Sequence, residues 1–307
     1  MLGETVLDRY VVEEELGRGA MGTVYRGRHT KLKRPVAIKV MHDHLTGEPT
    51  LMERFRREAR VAGKLDHANV VSVLDIGETN DGRPVMVMEY AAGRSLKDVM
   101  VGPLPVKRML ALLVQLLRGL DHAHSMGLVH RDLKPDNVIL QGDLGDEVVR
   151  IVDFGIAVLR GREEVDGGKL TGTGMIVGTP QYMAPEQAKC EPIDQRADLY
   201  ALGVIMYEMI GGRTPFDGTA MEVAVMKIDT DPPPISSRVP GVTVDRVLDA
   251  FMRRLLARAP VARFSTAHEA LQVLELYQED RLAAAAELGV IDVEQALAVI
   301  SLPEPPR

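Results

Sequence analysis

Residues 10–41 alternate in the strand manner, and beyond Gly93 the pattern changes to long stretches of helical spacing. A chain whose dominant period shifts in this way is neither one sheet nor one helical bundle, but an α+β arrangement of unlike parts. The first stretch contains YVVEEEL, TVYRGRH and PVAIKVM, short β-branched segments separated by glycine-rich or basic turns. A helix is predicted from about Thr50 to Leu65, with Met52, Phe55, Ala59 and Ala62 on one stripe. VVSVLDIG and PVMVMEY then read as two strands joined at Asn80-Asp81-Gly82, a hairpin signal. Five strands and one helix make a small first lobe over residues 10–90.

From Val106 to Met126 the pattern is a long helix whose broad apolar face carries Met109, Leu112, Leu113, Leu116, Leu117 and Leu120. Two short strands, NVIL and VVRIVDF, flank the turn at 142–146, and helices are predicted near 196–212, 219–228, 244–257 and 267–279. Pro232-Pro233-Pro234 cannot lie within a helix and marks a loop. The expected organisation is two-lobed, with a β-rich lobe at 10–90 and a larger helical lobe at 94–275. Residues 1–9 read as an N-terminal extension and 276–307 as a helical extension with a proline-rich end. Packing of that extension on the large lobe is expected over binding a partner.

The formal charge of -7 over 307 residues argues against non-specific binding to nucleic acid or to anionic membranes. The most apolar late stretch, Leu282 to Ile300, holds Glu287, Asp292 and Glu294. Each carboxylate would cost roughly 2–3 kcal/mol near a bilayer centre, so no membrane span is predicted. The first residues lack a basic region followed by an apolar run, so no secretory signal is read there. One cysteine, Cys190, excludes a disulfide within the chain and fits a reducing, cytoplasmic setting; it reads as a small filler rather than a redox group.

Four motifs carry chemistry. Gly17-Arg-Gly19-Ala-Met-Gly22 is followed by a strand, TVYRG, which excludes the strand–glycine–helix order of a dinucleotide site. A glycine hairpin instead lets backbone N–H groups approach a triphosphate closely. In Val36-Ala-Ile-Lys39, alternation sets Ala37 and Lys39 on one face and Val36 and Ile38 on the other. An inward lysine needs anions, which ATP phosphates and a carboxylate would supply. Glu58, nineteen residues on, is the candidate carboxylate, against the alternative of a solvated charge among Arg54, Arg56, Arg57 and Arg60. In His130-Arg-Asp132-Leu-Lys134-Pro-Asp-Asn137, Asp132 can take the proton of a hydroxyl, Lys134 can neutralise a moving phosphoryl group, and Asn137 can offer oxygen to Mg²⁺. Asp153-Phe-Gly155 follows a strand, sixteen residues after Asn137, where a carboxylate can hold a metal that bridges phosphates.

In this order the four pieces resemble the signature set of the eukaryotic-type (Hanks-type) protein kinases, over about residues 10–275. The resemblance implies ATP and Mg²⁺ (or Mn²⁺) in a cleft between the lobes. It puts Gly17, Gly19 and Gly22 above the phosphates, Lys39 on the α- and β-phosphates, and Glu58 as its ion-pair partner. It makes Asp132 the catalytic base, and Asn137 and Asp153 the metal ligands. Leu16, Val24, Ala37 and Ile139 would sandwich adenine. Met88 would be the gatekeeper, with the Glu89 carbonyl and the Ala91 backbone on the ring edge. Ala184-Pro-Glu186 resembles the end of an activation segment, Arg263 its late arginine partner, and Asp198 the aspartate that braces the catalytic loop.

The Asp132-Leu-Lys134-Pro string and Thr179, whose hydroxyl would bridge Asp132 and Lys134, resemble the serine/threonine branch; GTPQYMAPEQ is most similar to bacterial members. Arg131, beside the catalytic aspartate, wants an anion, and phosphorylation of Thr171 or Thr173 would supply one. The expected partners are proteins bearing serine or threonine, with a kinase-domain dimer for trans-autophosphorylation. Two competing readings are a silent pseudokinase acting as a scaffold, and a small-molecule phosphotransferase. The first would lack one of Lys39, Asp132, Asn137 and Asp153; the second would lack the segment from Thr179 to Glu186.

Overall fold

The structure, a computed structural model, describes residues 1–19, 22–42, 49–154 and 180–291. Thr171, Thr173, Thr179 and Gly155 lie outside the described residues, as does the end of the C-terminal extension.

Six antiparallel strands form the first sheet: β1 (Thr5–Val6), β2 (Tyr10–Arg18), β3 (Gly22–His29), β4 (Pro35–Met41), β5 (Val73–Glu78) and β6 (Pro84–Glu89), in the order β1-β2-β3-β4-β6-β5. The alternation read in β4 separates two small cores. Val36, Ile38 and Val40 pack with Val12, Tyr25, Val85 and Val87 on one face. Ala37 and Met41 meet Phe55, Ala59, Met86 and Met88 on the other. Phe55 and Ala59 belong to α1 (Pro49–Ala62), which therefore covers the face that carries Lys39. Strand β1 was not predicted. Its Val6 is buried in the first of these cores, so residues 1–9 add an edge strand to the sheet.

The second lobe is built on α3 (Val106–Ser125) and α5 (Arg196–Gly211). α5 is buried on nearly all sides, which explains why its sequence shows no polar stripe. The leucines of α3 read as one face are all buried, each contributing roughly 1.5–3 kcal/mol of transfer free energy. A second sheet, β7 (Arg94–Ser95), β8 (Val138–Gln141) and β9 (Val148–Ile151), lies beneath the cleft. Around α5 stand α4 (Pro185–Ala188), α6 (Ala220–Asp229), α8 (Arg246–Leu255) and α9 (Ala267–Glu279), with α2 (Leu96–Val99) and α7 (Ile235–Arg238) as single turns.

The expected boundary at 275/276 falls inside α9. The chain breaks at Asp280, and α10 (Arg281–Glu287) folds back with Ala284 and Ala285 buried against Val247 of α8. Arg281 fastens it to Asp245, the N-cap of α8, at 2.5 Å. The loop after α1 is pinned to the large lobe. Val71 N–H donates to Ile151 O and Ile151 N–H to Asn69 O, both at 2.9 Å. The Asn69 amide donates to Gln115 Oε1 and Val149 O, both at 3.0 Å. No helix of the described residues is long and apolar enough to cross a membrane.

Candidate active site

Register places the site residues of the first lobe. Gly17 faces Val24 across β2–β3, Val24 faces Lys39 across β3–β4, and Ala37 faces Met88 across β4–β6. Ala37, Met88 and Ala91 join one apolar cluster that also includes Val152, just past β9. Leu16 stays 45% exposed at the rim, and Ile139 lies half-buried on β8 in the other lobe. Of the residues expected around adenine, Ala37, Met88 and Ala91 therefore share one cluster, while Leu16 stays open at the rim. Glu89 was singled out for its carbonyl, yet its side chain is also engaged: the carboxylate pairs with Arg34 at 3.2 Å and with Arg150, tying the strand end to β9.

Lys39 is nearly buried, and its Nζ donates to Asp153 Oδ2 at 2.9 Å. Here the expectation is corrected. Lys39 does not pair with Glu58; Glu58 Oε1 lies 3.9 Å from Nη1 of Arg131 instead. Helical spacing fixes which face of α1 carries Glu58, but the distance of that helix from β4 is a tertiary quantity that spacing does not contain. Burial alone would raise the Asp153 carboxyl. The charge of Lys39 and its hydrogen bond outweigh that effect, helped by His130 and Lys134, and hold it below the usual carboxylate range. Asp153 has φ 66°, a left-handed conformation uncommon for a residue other than glycine and characteristic of a held functional position.

The loop from His130 to Asn137 is held from three sides. His130 is fully buried, its Nε2 donates to Val152 O at 2.9 Å, and its ring meets Phe154 edge-on at 4.7 Å. Arg131 has φ 64°. Its N–H donates to Asp198 Oδ1 at 2.8 Å, and the N–H of His130 donates to Asp198 Oδ2 at 2.7 Å. Pro135–Asn137 form a 3-10 turn that brings the Asn137 amide onto Asp132 O at 2.9 Å. Lys134 Nζ reaches Asp132 Oδ2 at 2.9 Å. Val152 N–H donates to Asn137 O at 3.0 Å, so Asn137 and Asp153 leave neighbouring backbones. Behind the site, Arg263 grips Glu186 through Nη1–Oε1 at 2.6 Å and Nη2–Oε2 at 2.7 Å. That pair is almost wholly enclosed, with side chains 0% and 4% exposed.

The protein kinase domain family matches residues 10–274. The chain belongs to the protein kinase family. It is 36% identical to serine/threonine-protein kinase pkn3 of Myxococcus xanthus over 91% of its own length and 52% of that protein's. It is 37% identical to PknL of Mycobacterium tuberculosis over 99% of this chain and 71% of the relative. With PknB of Mycobacterium leprae it shares 38% identity over 85% of this chain and 42% of that one. The chain thus spans about half or less of the length of pkn3 and PknB. The crystal structure of the PknI kinase domain of Mycobacterium tuberculosis superposes with a TM-score of 0.69 at 30% identity, covering 90% of this chain and 98% of that domain.

Members of this family use ATP and a divalent metal. The residues here fit both. A Cβ on Gly22 would stand 2.4 Å from Val40 O, so only glycine allows β3 to lie so close to β4 below the hairpin. Gly17 has nothing within 4 Å of a Cβ position, and Gly19 meets only the Gly22 carbonyl oxygen at 3.8 Å, an ordinary contact, so the hairpin backbone here is uncrowded. Asn137 donates its amide nitrogen to Asp132 O, which leaves the amide oxygen as its outward atom. With the Asp153 carboxylate this makes a hard, all-oxygen donor set suited to Mg²⁺ or Mn²⁺.

Two groups of the interior escaped the sequence reading. His124 contacts Asp198, and Lys227 on α6 is fully enclosed. Residue type reads both as surface; the signal that could have found them is spacing, since His124 lies four residues on from Leu120 and Lys227 four on from Val223, each on a buried face.

Proposed function

We propose that the chain transfers the γ-phosphate of ATP to serine or threonine hydroxyls of proteins, with Mg²⁺ as the working metal and Mn²⁺ able to replace it. The observation that carries this reading is the Lys39–Asp153 contact. It joins residues 114 positions apart, one from each lobe, at the cleft, and beside it Asp132, Lys134 and Asn137 are mutually hydrogen-bonded. A charged group set of this kind adds little to a core and answers the needs of phosphoryl transfer.

In this reading Asp132 accepts the proton of the attacking hydroxyl, and Lys134 neutralises charge on the phosphoryl group in flight. Lys39 binds the α- and β-phosphates under the Gly17–Gly22 hairpin. Leu16, Val24, Ala37 and Ile139 enclose adenine, with Met88 behind it and the Glu89 carbonyl and Ala91 backbone at its edge. Asn137 and Asp153 would hold the metal, which when bound supplies positive charge to the phosphate oxygens. Thr179, which lies outside the described residues, would bridge Asp132 and Lys134 through its hydroxyl. A pseudokinase reading needs a missing group, and all four of Lys39, Asp132, Asn137 and Asp153 are present.

Regulation belongs to the same reading. Arg131 faces Glu58 at 3.9 Å, a length at which a part-exposed pair is weak. A phosphothreonine at 171 or 173, bearing about two charges, would outcompete it. Glu58 would then be free to move towards Lys39, and transient pairing of two kinase domains would deliver the phosphate in trans. Intact mass before and after Mg-ATP, beside Asp132→Asn, tests the proposal. Whole phosphate increments in the wild type alone, mapping to Thr171 or Thr173, support it. No transfer to the chain or to a protein acceptor, with ATP bound, refutes it.

A further inference from the structure

We propose that His67 and His122 form a pH-sensitive joint between the lobes: it is closed while the His67 imidazole is neutral and loosens when that ring takes a proton, slowing phosphoryl transfer. The effect on transfer rests on the kinase reading above; the joint itself does not.

His67 stands in the loop after α1, in the first lobe, and His122 lies near the end of α3, in the second. Their rings stack with centroids 5.1 Å apart and planes inclined by 20°. The Asn69 N–H donates to His67 Nδ1 at 3.1 Å, so the hydrogen of the neutral ring sits on Nε2. A further proton has only Nδ1 to go to. There it would face the Asn69 N–H, donor against donor.

Asn69 is the residue that pins this loop to the large lobe. Its carbonyl accepts from Ile151 N–H at 2.9 Å, and its amide donates to Gln115 and to Val149 O. There is little room for it to step aside. A Cβ on Gly119 of α3 would stand 3.2 Å from Asn69 O and 2.9 Å from Ile151 Cδ1. Ile151 lies two residues before Asp153, the partner of Lys39. A proton on His67 therefore acts on the strand that sets one of the proposed metal ligands, where a shift of about 1 Å costs on the order of 100-fold in rate.

The surroundings oppose the charge. Burial first, then His122, Arg118 of α3 and Arg150 of β9, hold His67 below the usual histidine range, while Asp121 of α3 pulls the other way. Asp121 is shared with His268 of α9, 3.3 Å away, and Arg118 pairs with Glu275 of α9 at 2.7 Å. Arg150 is engaged by Ala68 O at 3.0 Å and by Glu89. The ring against His67 offers no relief, because His122 Nε2 is enclosed and has no hydrogen-bond partner. The folded chain thus takes this proton less readily than the unfolded one. The joint loses stability as pH falls below the ordinary value of 6.5, and above that value the group contributes no slope. Two phenyl rings would stack as well without this response.

The test compares wild type with His67→Asn, which keeps an acceptor oxygen for the Asn69 N–H and cannot take the proton. The pH values are about 5.5 and about 7.5, either side of the ordinary histidine value. Hydrogen exchange at the Asn69, Val71 and Ile151 amides, corrected for the intrinsic rate, reads the joint without any need for transfer. Protection in the wild type is expected to fall several-fold at the lower pH and to hold in His67→Asn. kcat on a protein acceptor should fall several-fold more in the wild type than in the variant, a comparison that cancels the titration of Asp132 common to both. His122→Phe keeps a stacked ring without the second imidazole and should show a shallower fall; it carries the comparison if His67→Asn does not fold. The same pH response of protection in the wild type and the variants would overturn the joint, and parallel kcat profiles would overturn its link to transfer. A wild type with no transfer at all would refute the kinase reading, with the exchange data still deciding the joint.

Discussion

Lys227 offers the sharpest test of the energetics. Its side chain on α6 has no exposed surface, and its Nζ has no hydrogen-bond partner. It sits 4.7 Å above the Tyr200 ring and 6.0 Å from that of Phe216, with no carboxylate bound to it. Desolvation, and after it the charge of Arg263, lower its pKa from 10.5 to about 7. At 1.36 kcal/mol per unit, keeping this amine charged costs the fold about 5 kcal/mol at low pH. The ring contacts return up to about 2 kcal/mol. Lys227→Met, of similar length and uncharged, is therefore expected to stabilise the protein by about 3 kcal/mol near pH 6.

The pH dependence has a definite sign. Between about 7 and 10.5 the unfolded chain holds this proton and the folded chain does not, so the wild type gains stability as pH rises through that window. Below about pH 7 both states hold the proton and this group contributes no slope. Urea midpoints for wild type and variant, at about pH 6 and about pH 9, read both effects. The gap should be large at the lower pH and shrink at the higher. A Lys227→Met variant less stable than wild type at both, or a gap independent of pH, would refute the reasoning and imply a favourable buried cation.

The remaining expectations are simpler. Gly22→Ala sets a Cβ against the Val40 carbonyl, a backbone atom that cannot step aside. It should lower stability by about 1–3 kcal/mol in thermal unfolding and raise KM for ATP, whereas Gly17→Ala, with open space around it, should leave the melting temperature alone. Arg263→Lys removes the two-pronged grip on Glu186 and strands backbone carbonyls of Arg196, Ala257 and Arg258. It should cost about 3–5 kcal/mol by denaturant titration, and a change under 1 kcal/mol would show that a point charge suffices.

The catalytic loop was legible because its chemistry is contiguous. A base, a lysine and an amide that must share one transition state stand within His130–Asn137, and sequence alone displays them. The faces of β4 were legible for a geometric reason: alternation is a property of any strand, and the two clusters divided as it required. The lobe division followed from the change of period. Strand β1 was not, since two residues are too few to show a period and its Val6 is buried only because β2 presents an open edge.

Partnerships across the lobes were beyond reach for a different reason. Glu58 and Asp153 are both carboxylates at acceptable places, and which of them meets Lys39 depends on where α1 rests on the sheet. That position is set by the fit of Phe55 and Ala59 against Met41, Met86 and Met88, a matter of side-chain volumes summed over several elements. The same holds for His124 and Lys227. Each stands at helical spacing on the apolar face of its helix, His124 four residues on from Leu120 and Lys227 four on from Val223, so position marks it as buried while residue type marks it as surface. One has found a carboxylate that the catalytic loop also uses, and the other has found only aromatic faces. Two buried polar side chains in similar sequence settings therefore carry opposite expectations: removing the His124 contact should cost rate, and removing the Lys227 charge should add stability.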